Sequence, residues 1–372
     1  MRPNSHDSAS NSSVFIALGV ATAAQNTERR SAARRTWLRN AHLTSALRVW
    51  FLVRARDMDV STKRSVHIER RAHNDIMLLP VGSDGDEVLR GRVVTLHAWL
   101  RRAARLYPNA GWICKSDDDA YIVTADWEAQ LRLLSVSFPP TERHVLHGWV
   151  TWSYLERASF LPRTVAGVEW GNLLTWPRCD AVGCSRGVRE PGPNVRDPND
   201  VRCWACPSRA IGPFPFVSGW LIGMSGALAR TVARSAEAKS DLRAVLKLNR
   251  SWVVLEDIWL GSVVHRVAQN LTLVGAEYGN VFNGLNAGRQ FANPWDRRGG
   301  AIKTSYVLHH RDVERTHRHV MATHAAPRPQ LQCEGFASPP MAKWVRDLAA
   351  AYRTYARNTQ RDGTYCMVVD LT

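Results

Sequence analysis

Apolar runs alternate with helix-like segments through the first 120 residues. Strands are predicted where short apolar runs end in polar turns: Val14–Val20, Leu47–Val53, Asp75–Leu79 and Gly111–Lys115. Helices are predicted between them, one Arg-rich at Thr27–Arg39 and one amphipathic at Asp86–Leu106. Strands that alternate with helices over short loops predict parallel βαβ units, and therefore a doubly wound α/β sheet.

The middle of the chain, residues 151–212, breaks this rhythm. It is rich in Pro, Gly, Arg and Trp and holds four of the seven Cys: Cys179, Cys184, Cys203 and Cys206. The spacing of these Cys fits a zinc site or disulfides equally well. Beyond this insertion, the pattern predicts an apolar segment at Phe214–Ser225, a helix from Gly226 and a final helix at Met341–Tyr355.

Composition places the chain among globular proteins, since 45% of its 372 residues are hydrophobic. The net charge is +16, but the basic residues are mostly Arg and are scattered along the chain. A nucleic-acid binder concentrates its charge on one face or arm, so we expect no nucleic-acid partner. No apolar run reaches the ~20 residues of a membrane span.

Three consecutive carboxylates, Asp117–Asp119, directly follow the strand predicted at Gly111–Lys115. Ligands of open α/β sheets bind beyond the carboxyl ends of the strands. Like charges this close raise one another's pKa unless a cation lies between them, and oxygen ligands suit Mg²⁺ or Mn²⁺. The alternative is a solvated acidic turn, but the apolar strand before the triplet favours the metal.

Two further pairs of residues have the chemistry of a site. Glu256 and Asp257 lie among apolar neighbours, which is typical either of a helix N-terminus or of a catalytic base with its partner. His309 and His310 end an apolar run, and on a strand they point to opposite faces, so at most one of them ligates a given metal. Cys114, inside the strand before the triplet, is expected to be an inert buried thiol.

The order of these motifs resembles glycosyltransferase family 31, the β-1,3-galactosyl- and N-acetylglucosaminyltransferases. The Arg-rich stretch Arg29–Trp37 is similar to that family's RRxAIRxTW, Asn74–Ile76 to its DI strand, and Lys115–Asp119 to its KxDDD form of the DxD motif. Later matches are Pro213–Gly219 with YPPYASG, Glu256–Gly261 with EDVYVG and Val307–His309 with VxH. The segment GPFPFVSG and the long insertion are most like those of kinetoplastid members.

This resemblance implies a GT-A fold, Rossmann-like with a mixed, mostly parallel sheet, and inverting transfer of galactose or N-acetylglucosamine from a UDP-sugar to a glycan hydroxyl. Asp257 would be the general base, and Asp117, Asp119 and His309 would hold Mn²⁺ or Mg²⁺. Donor contacts would come from Arg30, Arg34, Lys115, Asp117 and Asp118. Gly219, Trp220 and Glu256 would lie on the acceptor side. The alternative is a catalytically silent homologue that binds glycans.

The expected organisation has three parts. Residues 1–13 form a disordered remnant, residues 14–325 the GT-A catalytic domain, and residues 326–372 a helical extension. The catalytic domain divides into a nucleotide-sugar half at 14–150, the Cys-containing insertion at 151–212 and an acceptor half at 213–325.

The family's DSYxNLTLKT stretch is matched only by Asp86-Glu87 and Val94-Thr95, without its Lys. Family members are type II proteins of the Golgi, active in protein glycosylation or glycolipid and GPI glycan synthesis, so we expect membrane attachment only through an anchor missing from this chain.

Overall fold

The computed structural model describes most of the chain up to residue 156 and several later segments. The described ranges are 14–41, 46–56, 58–81, 88–148, 150–156, 162–163, 210–247, 255–275, 281–283, 307–309, 313–323, 332–336 and 365–371. The four Cys of the insertion, the helix predicted at Met341–Tyr355 and the remnant predicted at residues 1–13 lie outside these ranges.

Helices and strands alternate through the first half, as the pattern predicts. The helices are α1 Thr27–Arg35, α2 Trp37–Ala41, α3 Val60–His73, α4 Val88–Leu106, α5 Thr124–Ser137, α6 Gly226–Arg234, α7 Ala236–Lys247, α8 Glu256–Val267 and α9 Val313–Thr323. The strands are β1 Ile16–Ala21, β2 Leu47–Arg54, β3 Ile76–Leu79, β4 Trp112–Asp117, β5 Ala120–Ile122, β6 Val145–Gly148, β7 Val150–Glu156, β8 Pro162–Arg163, β9 Ala210–Val217, β10 Leu221–Ser225, β11 Leu271–Gly275, β12 Val281–Asn283, β13 Val307–His309, β14 Gln332–Phe336 and β15 Tyr365–Leu371.

A nine-stranded sheet in the order β14-β15-β11-β6-β10-β4-β1-β2-β3 forms the centre of the fold. Strands β4, β1, β2 and β3 are mutually parallel, whereas β10 runs antiparallel to both of its neighbours. The predicted α/β class with a mixed, mostly parallel sheet is therefore confirmed. The chain order reverses between β1 and β4, and a crevice opens at such a switch point beyond the strand ends.

Large apolar side chains fill both faces of this sheet. Four Trp are fully buried in the core: Trp99, Trp112, Trp127 and Trp259. These four contribute packing area rather than sugar-binding surface. Cys114 in β4 is buried as expected, and burial raises the pKa of its thiol, which keeps it in the unreactive protonated form.

Three features of the chain differ from the prediction. The Arg-rich helix is broken at Thr36, where the backbone leaves helical geometry, into α1 and α2. The ends of the insertion are ordered strands, because β7 pairs with β9 from Val150↔Val217 onward. The described part of residues 326–372 is strand and not helix, since β14 and β15 extend the central sheet next to β11. Among the helices described, none is both long and apolar enough to cross a membrane.

Candidate active site

A cavity of about 460 Å³ opens at the carboxyl ends of β1 and β4. Ala21 at the end of β1 lies beside Asp117 at the end of β4, so the crevice at the switch point is lined by the loop after each strand. The first turn of α8 adds Glu256 and Asp257 to the lining of the same cavity. The cavity size is in the range of sites that bind nucleotides and other small ligands.

The acidic triplet lines this cavity, but its three carboxylates have different partners. Asp118 accepts hydrogen bonds from Thr22 Oγ1 and Asn26 Nδ2, both at 2.7 Å. Its other oxygen accepts from Arg29 at 2.6 Å, and the same guanidinium lies 3.5 Å from Asp119. Asp118 therefore attaches the triplet to the loop after β1 and to α1. It also lines the cavity, and the donor contact expected of it stays a prediction.

Asp117 and Asp119 also line the cavity, and their carboxylate oxygens are of the ligand type that suits Mg²⁺ or Mn²⁺. Within the described residues, no three His, Cys, Asp or Glu side chains are grouped closely enough to hold a metal ion by themselves. Two carboxylates are nevertheless sufficient for Mg²⁺-like ions, which complete their coordination with water and substrate phosphates. The third predicted ligand, His309, lies in β13 directly opposite Ala120, so its backbone neighbours the triplet.

Asp257 is held at the first turn of α8 by backbone groups. Its Oδ2 accepts from Gly219 N at 3.1 Å, and its Oδ1 accepts from Ile258 N at 2.8 Å. Burial, together with the neighbouring negative charge of Glu256, raises the pKa of Asp257 to about 7, although the two N–H groups and Lys115 oppose this shift. A carboxylate with a pKa near neutrality, placed at a cavity wall, has the properties of a general base.

Lys115 lies buried between the triplet and α8. Its ammonium contacts Asp117 and Glu256, so it does not line the cavity as the predicted donor contact. Burial lowers the pKa of Lys115, but the two carboxylates outweigh it and raise the pKa above its usual value. For Glu256 the opposite charge also outweighs burial, and the attraction of Lys115 lowers the pKa of this carboxyl group. Both groups are therefore charged at neutral pH.

The turn between β9 and β10 carries two of the predicted acceptor-side residues. Gly219 and Trp220 both line the cavity. A Cβ at Gly219 would lie 3.1 Å from Lys115 Nζ and 3.2 Å from Glu256 Oε1, so glycine allows the close approach of these groups. The carbonyl of Trp220 accepts from Ser116 Oγ at 2.7 Å, which fixes the turn against the end of β4.

Arg30 and Arg34, the predicted donor contacts of α1, are not among the residues that line the cavity. Arg30 is fully buried and its guanidinium binds Glu69 Oε2 at 2.7 Å. Arg34 bridges Glu69 and Asp75, with both contacts at 2.7 Å. These residues join α1 to α3 and to Asp75 just before β3. The donor contact that the family resemblance implies for them stays a prediction.

Arg30→Ala is expected to destabilise the fold by about 3 kcal/mol, because removal of one partner leaves the Glu69 carboxylate partly buried with less compensation. Urea denaturation measures the loss. Arg35→Ala is the matched control, since its ion pair with Glu314 is exposed on both sides and contributes less than about 1 kcal/mol. If the Arg30→Ala variant kept its stability and bound UDP more weakly, Arg30 would be a donor contact, as the family resemblance implies.

Three cations that the sequence analysis did not assign to a site line the cavity: Arg29, Arg54 and Arg92. Arg54 lies directly against Gly91 in α4, where a Cβ would overlap its guanidinium. Gly in a helix interior costs about 1 kcal/mol relative to Ala, so Gly91 is explained by the space that Arg54 needs. Arg92 lies two residues before Val94, within the stretch that lacks the family Lys, and supplies positive charge to the same wall.

Comparison with known proteins supports the family resemblance. The family model described as galactosyltransferase matches residues 28–138, which include α1, strands β2 to β5 and the acidic triplet. Beta-1,3-galactosyltransferase 6 of Mus musculus is 29% identical over 168 residues, which is 45% of this chain and 47% of that protein. The chain therefore spans about half the length of this relative. The likeness to kinetoplastid members stays a prediction.

Two solved structures of the galactosyltransferase LgtC resemble the whole fold at a low level. One is an active-site mutant, with a TM-score of 0.41 and 12% identity over 84% of this chain and 98% of that one. The other is a complex with donor and acceptor sugar analogues, with a TM-score of 0.40 and 11% identity over the same shares.

Proposed function

We propose that this protein is an inverting, UDP-sugar-dependent hexosyltransferase, which is supported by the match of residues 28–138 to the galactosyltransferase family model and by the similarity to a beta-1,3-galactosyltransferase. It transfers galactose or N-acetylglucosamine to a glycan hydroxyl and forms a β-1,3 linkage. The observation that carries the proposal is that the carboxylates of Asp117, Asp119 and Asp257 line one cavity.

The donor diphosphate binds at the wall formed by the triplet. Asp117, Asp119 and His309 would hold a divalent cation, Mn²⁺ or Mg²⁺, and that cation would supply Lewis-acid stabilisation of the charge on the leaving UDP. Arg29, Arg54 and Arg92 surround the same space and provide charge-assisted hydrogen bonds to phosphate oxygens. This arrangement explains why an acidic triplet and three guanidinium groups line one cavity.

The acceptor binds between Trp220 and α8. Asp257 takes the proton of the acceptor hydroxyl while that oxygen attacks the anomeric carbon of the donor sugar. The bond from the anomeric carbon to the diphosphate breaks in the same displacement, UDP leaves with its electron pair, and the configuration at the anomeric carbon inverts. The Gly219 N–H holds Asp257 Oδ2 and leaves the carboxylate's remaining lone pairs for the acceptor.

The linkage of the product tests this proposal. Purified protein is incubated with UDP-galactose or UDP-N-acetylglucosamine and a panel of acceptor glycans, and the product is analysed by NMR. A β-1,3-linked product supports inversion and the assigned linkage. An α-linked product, with retained configuration, would contradict single displacement with Asp257 as the base.

We expect kcat/KM to rise with pH through an inflection near pH 7. Asp257 accepts a proton only as the carboxylate, and its pKa of about 7 means that it is mostly protonated below this pH. The kcat/KM profile reports ionisations of the free enzyme, so it is the quantity to measure. A profile that is flat between pH 5 and 8 would show that another group, with a different pKa, takes the proton.

The expected site of action, the Golgi lumen, and the role in glycoprotein, glycolipid or GPI glycan synthesis follow from the family resemblance and remain part of this proposal.

A further inference from the structure

Lys115 uses all three of its ammonium hydrogens inside the protein. The side chain is buried, with 1% of its surface exposed. Nζ donates to Asp117 Oδ1 at 2.6 Å, to Glu256 Oε1 at 2.7 Å and to the Gly219 carbonyl at 2.9 Å. An ammonium has three donors, so none is left for a ligand in the cavity.

The three acceptors belong to three different parts of the cavity wall. Asp117 ends β4 at the triplet, Gly219 lies in the turn before β10, and Glu256 begins α8. In sequence, Gly219 and Glu256 are 104 and 141 residues from Lys115. One side chain therefore connects the proposed cation site to the helix that carries the proposed base.

The Gly219 peptide extends this connection to Asp257. Its carbonyl accepts from Lys115, and its N–H donates to Asp257 Oδ2 at 3.1 Å. Glu256, the other partner of Lys115, is the residue directly before Asp257 in α8. Lys115 thus acts on the position of Asp257 by two routes, through the turn and through the helix.

We propose that Lys115 is a positioning residue, which holds the Asp257 carboxylate at a fixed distance from the donor bound at Asp117. This inference rests on the proposed function. It gives Lys115 a role in turnover, because a misplacement of about 1 Å between reacting groups costs about 10²-fold in rate. Arg does not replace Lys here, since its planar fork does not match three acceptors around one nitrogen.

Two variants separate positioning from simple charge balance. Lys115→Met removes the ammonium but leaves Glu256 buried without its cation, so the protein loses stability. The double variant Lys115→Met/Glu256→Gln removes that unpaired charge as well, and we expect it to recover most of the lost Tm. In the double variant we expect kcat to stay at least about tenfold below wild type, with the UDP affinity in Mn²⁺ within about threefold of wild type.

The pH profile distinguishes position from basicity. The charge of Glu256 raises the pKa of Asp257 and the charge of Lys115 lowers it. The double variant removes both charges, so these two opposing effects on the pKa disappear at the same time. We therefore expect the kcat/KM inflection of the double variant to stay near pH 7 while its kcat falls. Wild-type kcat in a double variant with restored Tm would overturn the proposal, because Lys115 would then serve only to neutralise Glu256. Loss of UDP binding would also overturn it and return Lys115 to the donor site.

Amide hydrogen exchange at Gly219 tests the same inference without turnover. Its N–H is bound to Asp257, and we expect exchange to be at least about tenfold faster in the double variant as this contact loosens. Unchanged exchange would contradict the positioning role. If the wild-type protein showed no transfer with any donor, the proposed function would fail, but this measurement would still decide whether Lys115 holds the turn and the base together.

Discussion

Asp257→Asn reduces turnover by about 10²-fold or more, because removal of a positioned general base costs about 10²- to 10⁴-fold. Asn keeps the size of the side chain and still accepts from the Gly219 N–H, so the cavity wall is preserved. We expect the UDP affinity in Mn²⁺ to be unchanged, since Asp257 is not one of the proposed ligands of the cation. Steady-state kinetics and calorimetric UDP titration measure the two quantities. Turnover at the wild-type rate would place the base elsewhere, with Glu256 as the next candidate.

The same substitution is expected to stabilise the protein at pH 8. The pKa of Asp257 is about 7 in the fold, above its ordinary value of 3.8. Between these two pH values the folded protein keeps a proton that the unfolded chain has lost, so stability falls as pH rises through this window. Asp257→Asn removes this penalty, and we expect a Tm at least about 2 °C higher than wild type at pH 8.

Glu256→Gln is the matched control for this effect. It makes the same chemical change at the neighbouring position but breaks the 2.7 Å ion pair with buried Lys115. We expect it to lower the Tm, so two adjacent carboxylates respond with opposite signs. A lower Tm for both variants would show that burial does not penalise the Asp257 carboxylate, and the pH dependence assigned to it would lose its basis.

Asp119→Asn raises the Kd for UDP in Mn²⁺ by more than about tenfold, since loss even of groups that support metal ligands costs about 10- to 100-fold. In EDTA we expect the variant and the wild type to bind UDP equally weakly, because the side chain acts through the cation. Calorimetric titration of UDP with and without Mn²⁺ gives both values.

Asp118→Asn is the control within the triplet. Its carboxylate is held by Thr22, Asn26 and Arg29, so the substitution weakens these contacts and lowers stability. The effect of Mn²⁺ on UDP binding should persist. If Asp119→Asn left the UDP affinity in Mn²⁺ unchanged, Asp119 would not be a ligand of the cation.

The sequence predicts four strands of the central sheet, β1 to β4, and the position of the triplet, because apolar periodicity and strand ends are local properties. It does not predict that Asp118 is the carboxylate bound by Thr22, Asn26 and Arg29. Asp118 is attached by residues about 90 positions earlier in the chain, and only folding brings them together. The same applies to α1, where Arg29 reaches the triplet and Arg30 turns to Glu69.

For Glu256 and Asp257, the sequence alone does not decide between two interpretations. From the sequence the pair is either a helix N-terminus or a base with its partner, and the structure places both residues in the first turn of α8 and at the cavity wall. The two interpretations are compatible, because a helix terminus is also a rigid support for a catalytic carboxylate. Arg54 and Arg92 belong to no sequence motif that indicates a site. Gly91 within a helical pattern does indicate that another side chain packs closely against the helix, and in the structure this side chain is Arg54.

Metal-dependent UDP release is the measurement that tests the central claim most directly. The purified chain is incubated with Mn²⁺ and UDP-galactose, UDP-N-acetylglucosamine or UDP-glucose in the presence of an acceptor panel, and each reaction is repeated with EDTA. We predict release of UDP from one of the first two donors, abolished by EDTA and reduced by about 10²-fold in Asp257→Asn. Release that is equal in Mn²⁺ and EDTA, or absent with every donor while UDP also fails to bind in Mn²⁺, would contradict a cation site at Asp117 and Asp119 and the transferase built on it.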